Sequence, residues 1–127
     1  MRSAGVNSYL REAANALLLR DWTVRYDPQE PGEEALAEVH TSEDTHIMVR
    51  FSAAFWDLDP AEQRDIVVHE LCHVHLARLY DVAQHLVGPG VHHDACCAMV
   101  DDADEHATEV FARLLRDRVA TPRWRCK

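Results

Sequence analysis

The chain carries little positive charge, and this shortage limits the partners that it can bind. Its 127 residues include 13 lysines and arginines against 22 aspartates and glutamates, a formal net charge of −9 at pH 7. Nucleic acids and anionic membrane surfaces reward clustered lysine and arginine, and the sequence contains no basic stripe. We therefore expect no direct contact with nucleic acid or with a membrane.

Long hydrophobic runs are also missing. Near the N-terminus the apolar stretch covers only residues 16–19, and Arg20 and Asp21 follow it. A membrane-spanning helix needs about 20 apolar residues, and the apolar region of a secretory signal peptide about 7–15. We therefore expect a cytoplasmic protein. At this length we expect one domain, residues 1–127, with a single hydrophobic core.

The cysteines lack the spacing of a metal ribbon or of a disulfide framework. No C-x-x-C pair occurs among the four, which are Cys72, Cys96, Cys97 and Cys126. We expect reduced thiols that pack as small apolar side chains. In the alternative interpretation, Cys96 or Cys97 binds zinc together with His92 and His93.

The most informative segment that the chain does contain is residues 69–73, which read His-Glu-Leu-Cys-His. Two histidines four positions apart lie on one face of a helix, so His69 and His73 can bind one zinc ion together. Glu70 lies beside that face and can accept a proton from a water molecule on the metal. Cys72 points away from the histidines and is expected to pack. The segment therefore predicts a zinc-dependent peptidase with Glu70 as its catalytic base.

The residues around the motif predict a long helix. Asp59 suits the N-cap position and Pro60 the first helical position, and apolar residues follow with helical spacing. We expect this helix to run from about Pro60 to about Leu86. One of its faces then serves the chemistry, and a separate apolar stripe faces the core.

Before the motif helix, the sequence predicts one helix and a small sheet. The helix covers about Ser3 to Arg20, and a first strand lies around residues 22–26. Residues 36–40 and 46–51 are expected to form a hairpin. We also expect the strand 46–51 to be an edge strand, along which an extended substrate could bind by strand addition.

After the motif helix, Gly88-Pro89-Gly90 interrupts the chain, and a final helix is expected from about Asp94 or Asp102 to Val119. The predicted fold class is therefore α+β. It comprises an N-terminal helix, a small antiparallel sheet, the motif helix and a C-terminal helix.

A catalytic zinc site needs a third protein ligand, and spacing leaves two choices open. One is Glu105, whose carboxylate could meet the two histidines from a facing helix. The other is His92 or His93, in the loop after the glycines. Asp102 and Glu105 also have the spacing of a capping box, which would make Glu105 part of a helix start instead.

Taken together, residues 69–73 and the later segment 105–115 resemble the ImmA/IrrE-type metallopeptidases, over about residues 47–115. That family is similar in its H-E-x-x-H helix and in a later helix, E-x-x-x-x-x-F-A-x-x-L-L, whose glutamate binds zinc. The resemblance implies that Glu105 is the third ligand and that Phe111, Leu114 and Leu115 form a packing face. It also implies a protein or peptide substrate, such as a transcriptional repressor cleaved at one site.

The chain departs from that family where Thr108 and Glu109 replace the usual alanine and asparagine. The broader gluzincin pattern, which the chain also resembles, has an acid four residues beyond the ligand glutamate. That resemblance implies that Glu109 accepts a hydrogen bond from the non-ligating nitrogen of His69. The alternative is that Glu109 is an exposed helix residue.

Other interpretations remain open at this stage. The motif resembles that of the SprT family too, whose third ligand is a histidine, here His92 or His93. A zinc-stabilised binding module without catalysis is another alternative, although a purely structural site has no need of Glu70. A peptidase also requires an oxyanion donor. The sequence does not rank the candidates for it, which are Tyr80, His92, His93 and His106.

Overall fold

This computed structural model describes residues 2–32, 34–42 and 44–124. They contain three long helices and one small sheet. In chain order the elements are α1 (Arg2–Ala16), β1 (Thr23–Tyr26), β2 (Ala37–Thr41), β3 (His46–Phe51), α2 (Pro60–Val87) and α3 (His93–Leu115). Short 3-10 helices, Ala53–Asp57 and Arg116–Arg118, follow β3 and α3. The α+β fold class is confirmed. In the described part of the chain, no helix combines the length and apolar character needed to cross a membrane.

The sheet is mixed, with the strand order β1, β3, β2. β2 and β3 pair in antiparallel fashion, so the predicted hairpin is confirmed. β1 pairs with β3 in parallel, so the prediction of a purely antiparallel sheet was wrong. The long connection between β1 and β2, which contains Pro28 and Pro31, carries the chain past the position that β3 then fills. β3 is consequently the central strand, and the expectation that residues 46–51 form an edge was also wrong.

The central position of β3 follows from its alternating side chains. Ile47, Val49 and Phe51 are all at most 3% exposed, whereas His46, Met48 and Arg50 lie on the opposite, more open face. Full burial of such apolar side chains stabilises the fold by about 1.5–3 kcal/mol each. β3, with its fully apolar buried face, therefore takes the central position. There a strand pairs with each of its edges, and helices cover its apolar face.

The bounds of α2 agree closely with the prediction. The Asp59 side chain accepts a hydrogen bond from the Glu62 backbone N–H at 2.9 Å, and Pro60 occupies the first turn. At the other end the helix stops before Gly88, which has a φ of 65°. This confirms the N-cap and the helix stop that the sequence predicted, because both signals are local.

α1 ends at Ala16, four residues before the predicted end. Leu18 adopts a φ of 63°, and the Leu19 N–H donates to the Ala14 carbonyl at 2.8 Å. The Leu18 N–H donates to the Asn15 carbonyl at 3.2 Å, which completes a Schellman motif. Such a motif usually has glycine at the left-handed position, and leucine gives no sequence signal for it.

α3 begins at His93 and ends at Leu115, and a 3-10 turn replaces its predicted last residues. Asp102 and Glu105 therefore lie inside the helix, so the capping-box interpretation was wrong. The implied packing face is also wrong in part, because Leu114 is 71% and Phe111 43% exposed. Leu115 does pack against the core. The buried residues of α3 are small ones, Thr108 and Ala112, which let α3 approach α2 closely.

Candidate metal centre

α2 and α3 bring three potential metal ligands together. Glu105 lies between the two histidines: its Oε1 is 3.0 Å from His69 Nε2, and its Oε2 is 3.4 Å from His73 Nε2. One ligand atom from each residue lies within 4.8 Å of the other two. Among the described residues, no other group of three or more histidines, cysteines and acids is as close.

The donor set fits zinc. Two imidazole nitrogens and one carboxylate oxygen are the ligands found in catalytic zinc sites, which keep a further position open for water or substrate. Both histidine side chains are mostly buried, at 23% and 21% exposure, while Glu105 is 59% exposed. The three side chains thus converge at the surface, where a substrate has access to them.

His69 is held from its other side by Glu109. Its Nδ1 lies 3.1 Å from Glu109 Oε2, the contact that the gluzincin resemblance implied. Glu109 also accepts a hydrogen bond from the Arg113 side chain at 3.1 Å. Both carboxylates that contact His69 come from successive turns of α3, so the ring is oriented through both of its nitrogens.

His73 is oriented by Thr108 and Asp104, two residues that the sequence did not single out for this role. Its Nδ1 lies 3.2 Å from Thr108 Oγ1 and 3.4 Å from Asp104 Oδ2. Neither contact could be predicted from spacing, because each depends on how closely α3 approaches α2. A buried threonine four residues after an aspartate is an ordinary helix pattern.

Burial, together with nearby negative charge, raises the pKa of two acids beside the ligands, Glu70 and Asp104. Burial, followed by the nearby charges of Glu105 and Glu38, raises the pKa of the Glu70 carboxyl to about 8. Burial also raises the pKa of Asp104, although the neighbouring His73 opposes that shift. A bound divalent cation would offset this repulsion, so the electrostatics of the site favour a metal as well.

The alternative histidine ligands lie elsewhere. His93 begins α3, where its Nδ1 contacts the Gly88 carbonyl at 2.7 Å and its Nε2 lies 3.6 Å from Cys97 Sγ. Glu105 lies twelve positions after His93 in α3, a distance of about 18 Å along the helix axis. Neither His92 nor His93 joins the group that includes His69. The arrangement is thus incompatible with the SprT-like ligand set.

The described cysteines are free thiols. Cys72 is 1% exposed and belongs to the hydrophobic core, as predicted, and burial raises the pKa of its thiol to about 11. Cys96 and Cys97 are partly buried and form no disulfide. They are not part of a three-ligand cluster among the described residues. The prediction for Cys126 lies outside the described residues.

Of the oxyanion candidates, Tyr80 lies in a cleft beside His73. The cleft has a volume of about 150 Å³ and is lined by seven residues: Val39, Thr41, His73, Val74, Ala77, Tyr80 and Asp104. The Tyr80 hydroxyl donates to Asp101 and accepts from Gln84. A role for Tyr80 would therefore require its hydroxyl to leave Asp101. His106 is an exposed residue of α3.

Comparison of the chain with protein-family profiles, curated protein sequences and solved structures found no significant match.

Proposed function

We propose that this protein is a zinc-dependent metallopeptidase whose metal is held by His69, His73 and Glu105. The observation that carries the proposal is the convergence of these three side chains. Glu70, which follows the first histidine, is not in the ligand group, but it is close enough to Glu105 for that charge to raise its pKa. When bound by these residues, zinc would supply Lewis-acid chemistry: it would polarise a scissile carbonyl and lower the pKa of a water molecule toward neutrality. A purely structural site would not need an additional acid.

Glu70 is the proton carrier of the proposed reaction. It accepts a proton from the attacking water and delivers it to the leaving amine nitrogen. Burial makes its carboxylate more basic than that of an exposed glutamate, which suits a group that takes up a proton and returns it. The orientation of His69 depends on Glu109, and that of His73 depends on Asp104 and Thr108.

The proposed peptide binds along β2, the edge strand nearest the site. The Leu36 carbonyl and the Ser42 N–H both form hydrogen bonds on the side of β2 that faces β3. Because the backbone groups of successive residues in β2 alternate in direction, those of Val39 point away from β3, toward the open edge. Val39 also lines the cleft beside His73. An extended peptide can add to this edge through main-chain hydrogen bonds and lie across the site.

The other edge of the sheet is less suitable. On β1, the backbone N–H of Tyr26 already donates to the Asn7 side chain of α1 at 2.7 Å. β2 therefore replaces residues 46–51 as the proposed substrate strand. The family resemblance supports a protein substrate such as a transcriptional repressor, and the cytoplasmic location expected from the sequence is compatible with one.

The decisive experiment compares wild type with Glu70→Gln on a complex peptide mixture supplied with zinc, with new termini identified by mass spectrometry. We expect cleavage by wild type, and we expect that a chelator or Glu70→Gln abolishes it while zinc content persists. Glu62→Gln, an exposed glutamate on the same helix, is the matched control and should cleave normally. Equal cleavage by wild type and Glu70→Gln would refute the mechanism.

A further inference from the structure

We propose that Thr108 is a positioning residue that holds His73 in the tautomer required for metal binding through Nε2. The inference rests on the proposed metal centre and names a residue to which none of the resemblances assigns a role. Thr108 is 0% exposed, and it is one of two buried polar or charged side chains among the described residues, the other being Gln63. Gln63 donates to the Phe55 carbonyl, whereas Thr108 faces the site.

The hydrogen bonds of Thr108 determine what it offers to His73. Its hydroxyl donates to the Asp104 carbonyl at 2.8 Å, one turn earlier in α3. A hydroxyl has one proton, so the oxygen that lies 3.2 Å from His73 Nδ1 can only accept there. The ring nitrogen must therefore be the donor, which means that Nδ1 carries the proton.

This assignment leaves a lone pair on the nitrogen that faces the site. In a neutral imidazole with hydrogen on Nδ1, Nε2 is unprotonated. Nε2 of His73 is the atom that lies 3.4 Å from Glu105, on the side where the ligand atoms converge. In the opposite tautomer, the Nδ1 lone pair would face the Asp104 carboxylate, and the Thr108 hydroxyl could donate to Nδ1 only by leaving the Asp104 carbonyl. The Nε2 lone pair of the proposed tautomer faces Glu105, and a bound cation between them would make that contact favourable.

A threonine at this position lowers the stability of the helix, and packing alone does not explain its presence. Threonine has a low helix propensity, and its hydrogen bond to the carbonyl four residues earlier slightly destabilises a helix. Ala112, one turn further along α3, is also buried and shows that a small apolar side chain fits between the helices. The hydroxyl of Thr108 is thus best explained by its contact with His73.

The test replaces the hydroxyl and leaves the shape. Thr108→Val keeps the branched side chain and removes the acceptor, while Thr108→Ser keeps the hydroxyl. Nitrogen NMR of the histidine rings, at a pH where they are neutral, reports which nitrogen of His73 is protonated. Competition with a chelator gives the zinc affinity. We expect Thr108→Val to lose the Nδ1–H preference and to bind zinc roughly 10–100-fold more weakly, and Thr108→Ser to recover both.

Asp104 provides the discriminating variant, because its carboxylate also faces Nδ1. Under the proposal, Asp104→Ala keeps the Nδ1–H tautomer, since its backbone carbonyl still accepts from Thr108. If Asp104→Ala loses the tautomer while Thr108→Val retains both tautomer and affinity, the proposal is wrong. If wild type takes up no zinc, the proposed metal centre fails, and the tautomer of the metal-free protein still decides the role of Thr108.

Discussion

His69 Nδ1 lies 3.1 Å from Glu109 Oε2, while Nε2 of the same ring lies 3.0 Å from Glu105 Oε1. Two acids one helical turn apart on α3 thus contact opposite edges of one imidazole. When Nδ1–H donates its hydrogen bond to Glu109, Nε2 carries the lone pair and is free to bind the proposed metal. The proposed roles of the two acids differ for this reason, although both are partly exposed glutamates on the same face of α3.

The first prediction concerns Glu109. Glu109→Ala should weaken zinc binding by roughly 10–100-fold with the fold intact, because His69 loses the partner that orients it, and Glu109→Asp should recover part of the loss. Competitive titration against a chelator measures the change. Arg113→Ala is the matched control, since it removes only the other contact of Glu109. Unchanged zinc affinity in Glu109→Ala would reduce Glu109 to a surface residue.

The second prediction concerns the ligand set. We expect the purified protein to bind one zinc ion, His73→Ala to abolish stoichiometric binding, and Glu105→Ala to weaken it by a factor of about 10 or more. A double substitution of His92 and His93 by alanine should have no effect, because they lie at the far end of α3. Metal analysis after dialysis decides whether Glu105 or a loop histidine is the third ligand. Full zinc in Glu105→Ala with loss in the double variant would reverse the assignment.

The third prediction concerns the stability of the metal-free protein. Folding raises the pKa of Glu70 from its ordinary 4.5 to about 8, so the folded state binds its proton more tightly than the unfolded state. The resulting stabilisation is fully present below about pH 4.5 and is lost as the pH rises toward 8. In excess chelator, Glu70→Gln should therefore unfold at a higher temperature than wild type at pH 8, with a smaller difference near pH 5. If the melting temperatures of Glu70→Gln and wild type differ by the same amount at every pH in this range, the prediction is wrong.

Local signals in the sequence were sufficient for α2 and for the two histidines. Asp59, Pro60 and Gly88 each act within one turn of a helix end, so the bounds could be predicted without knowledge of the fold. α1 shows the opposite case. Its end depends on Leu18 in a left-handed conformation, which no local preference of leucine favours.

Contacts between distant elements could not be predicted in the same way. The hairpin of β2 and β3 is local and was expected, but the parallel pairing of β1 with β3 depends on the path of a long connection. In the site, spacing left Glu105 and the loop histidines open, and only the resemblance favoured Glu105. Thr108 was missed because its contact with His73 exists only once α3 packs against α2.

The last prediction tests the substrate strand. Val39→Pro removes an N–H that faces the open edge of β2, so the ladder with β3 should survive and zinc content should not change. If the peptide binds along β2, this variant should lower kcat/KM by about tenfold, the equivalent of one lost hydrogen bond of about 1.4 kcal/mol. The same change in β1, Val24→Pro, is the matched control, since alternation also turns that N–H away from β3.

Cleavage rates and zinc content of the two proline variants are compared with those of wild type, after circular dichroism has shown that each is folded. Reduced cleavage in Val39→Pro alone supports binding along β2. Wild-type rates in Val39→Pro would remove β2 as the substrate strand and leave the metal centre unaffected. Val24 lies on the opposite edge of the sheet, which α1 partly covers. Equal losses of cleavage activity in both variants would therefore show that the activity depends on the sheet as a whole and not on its β2 edge.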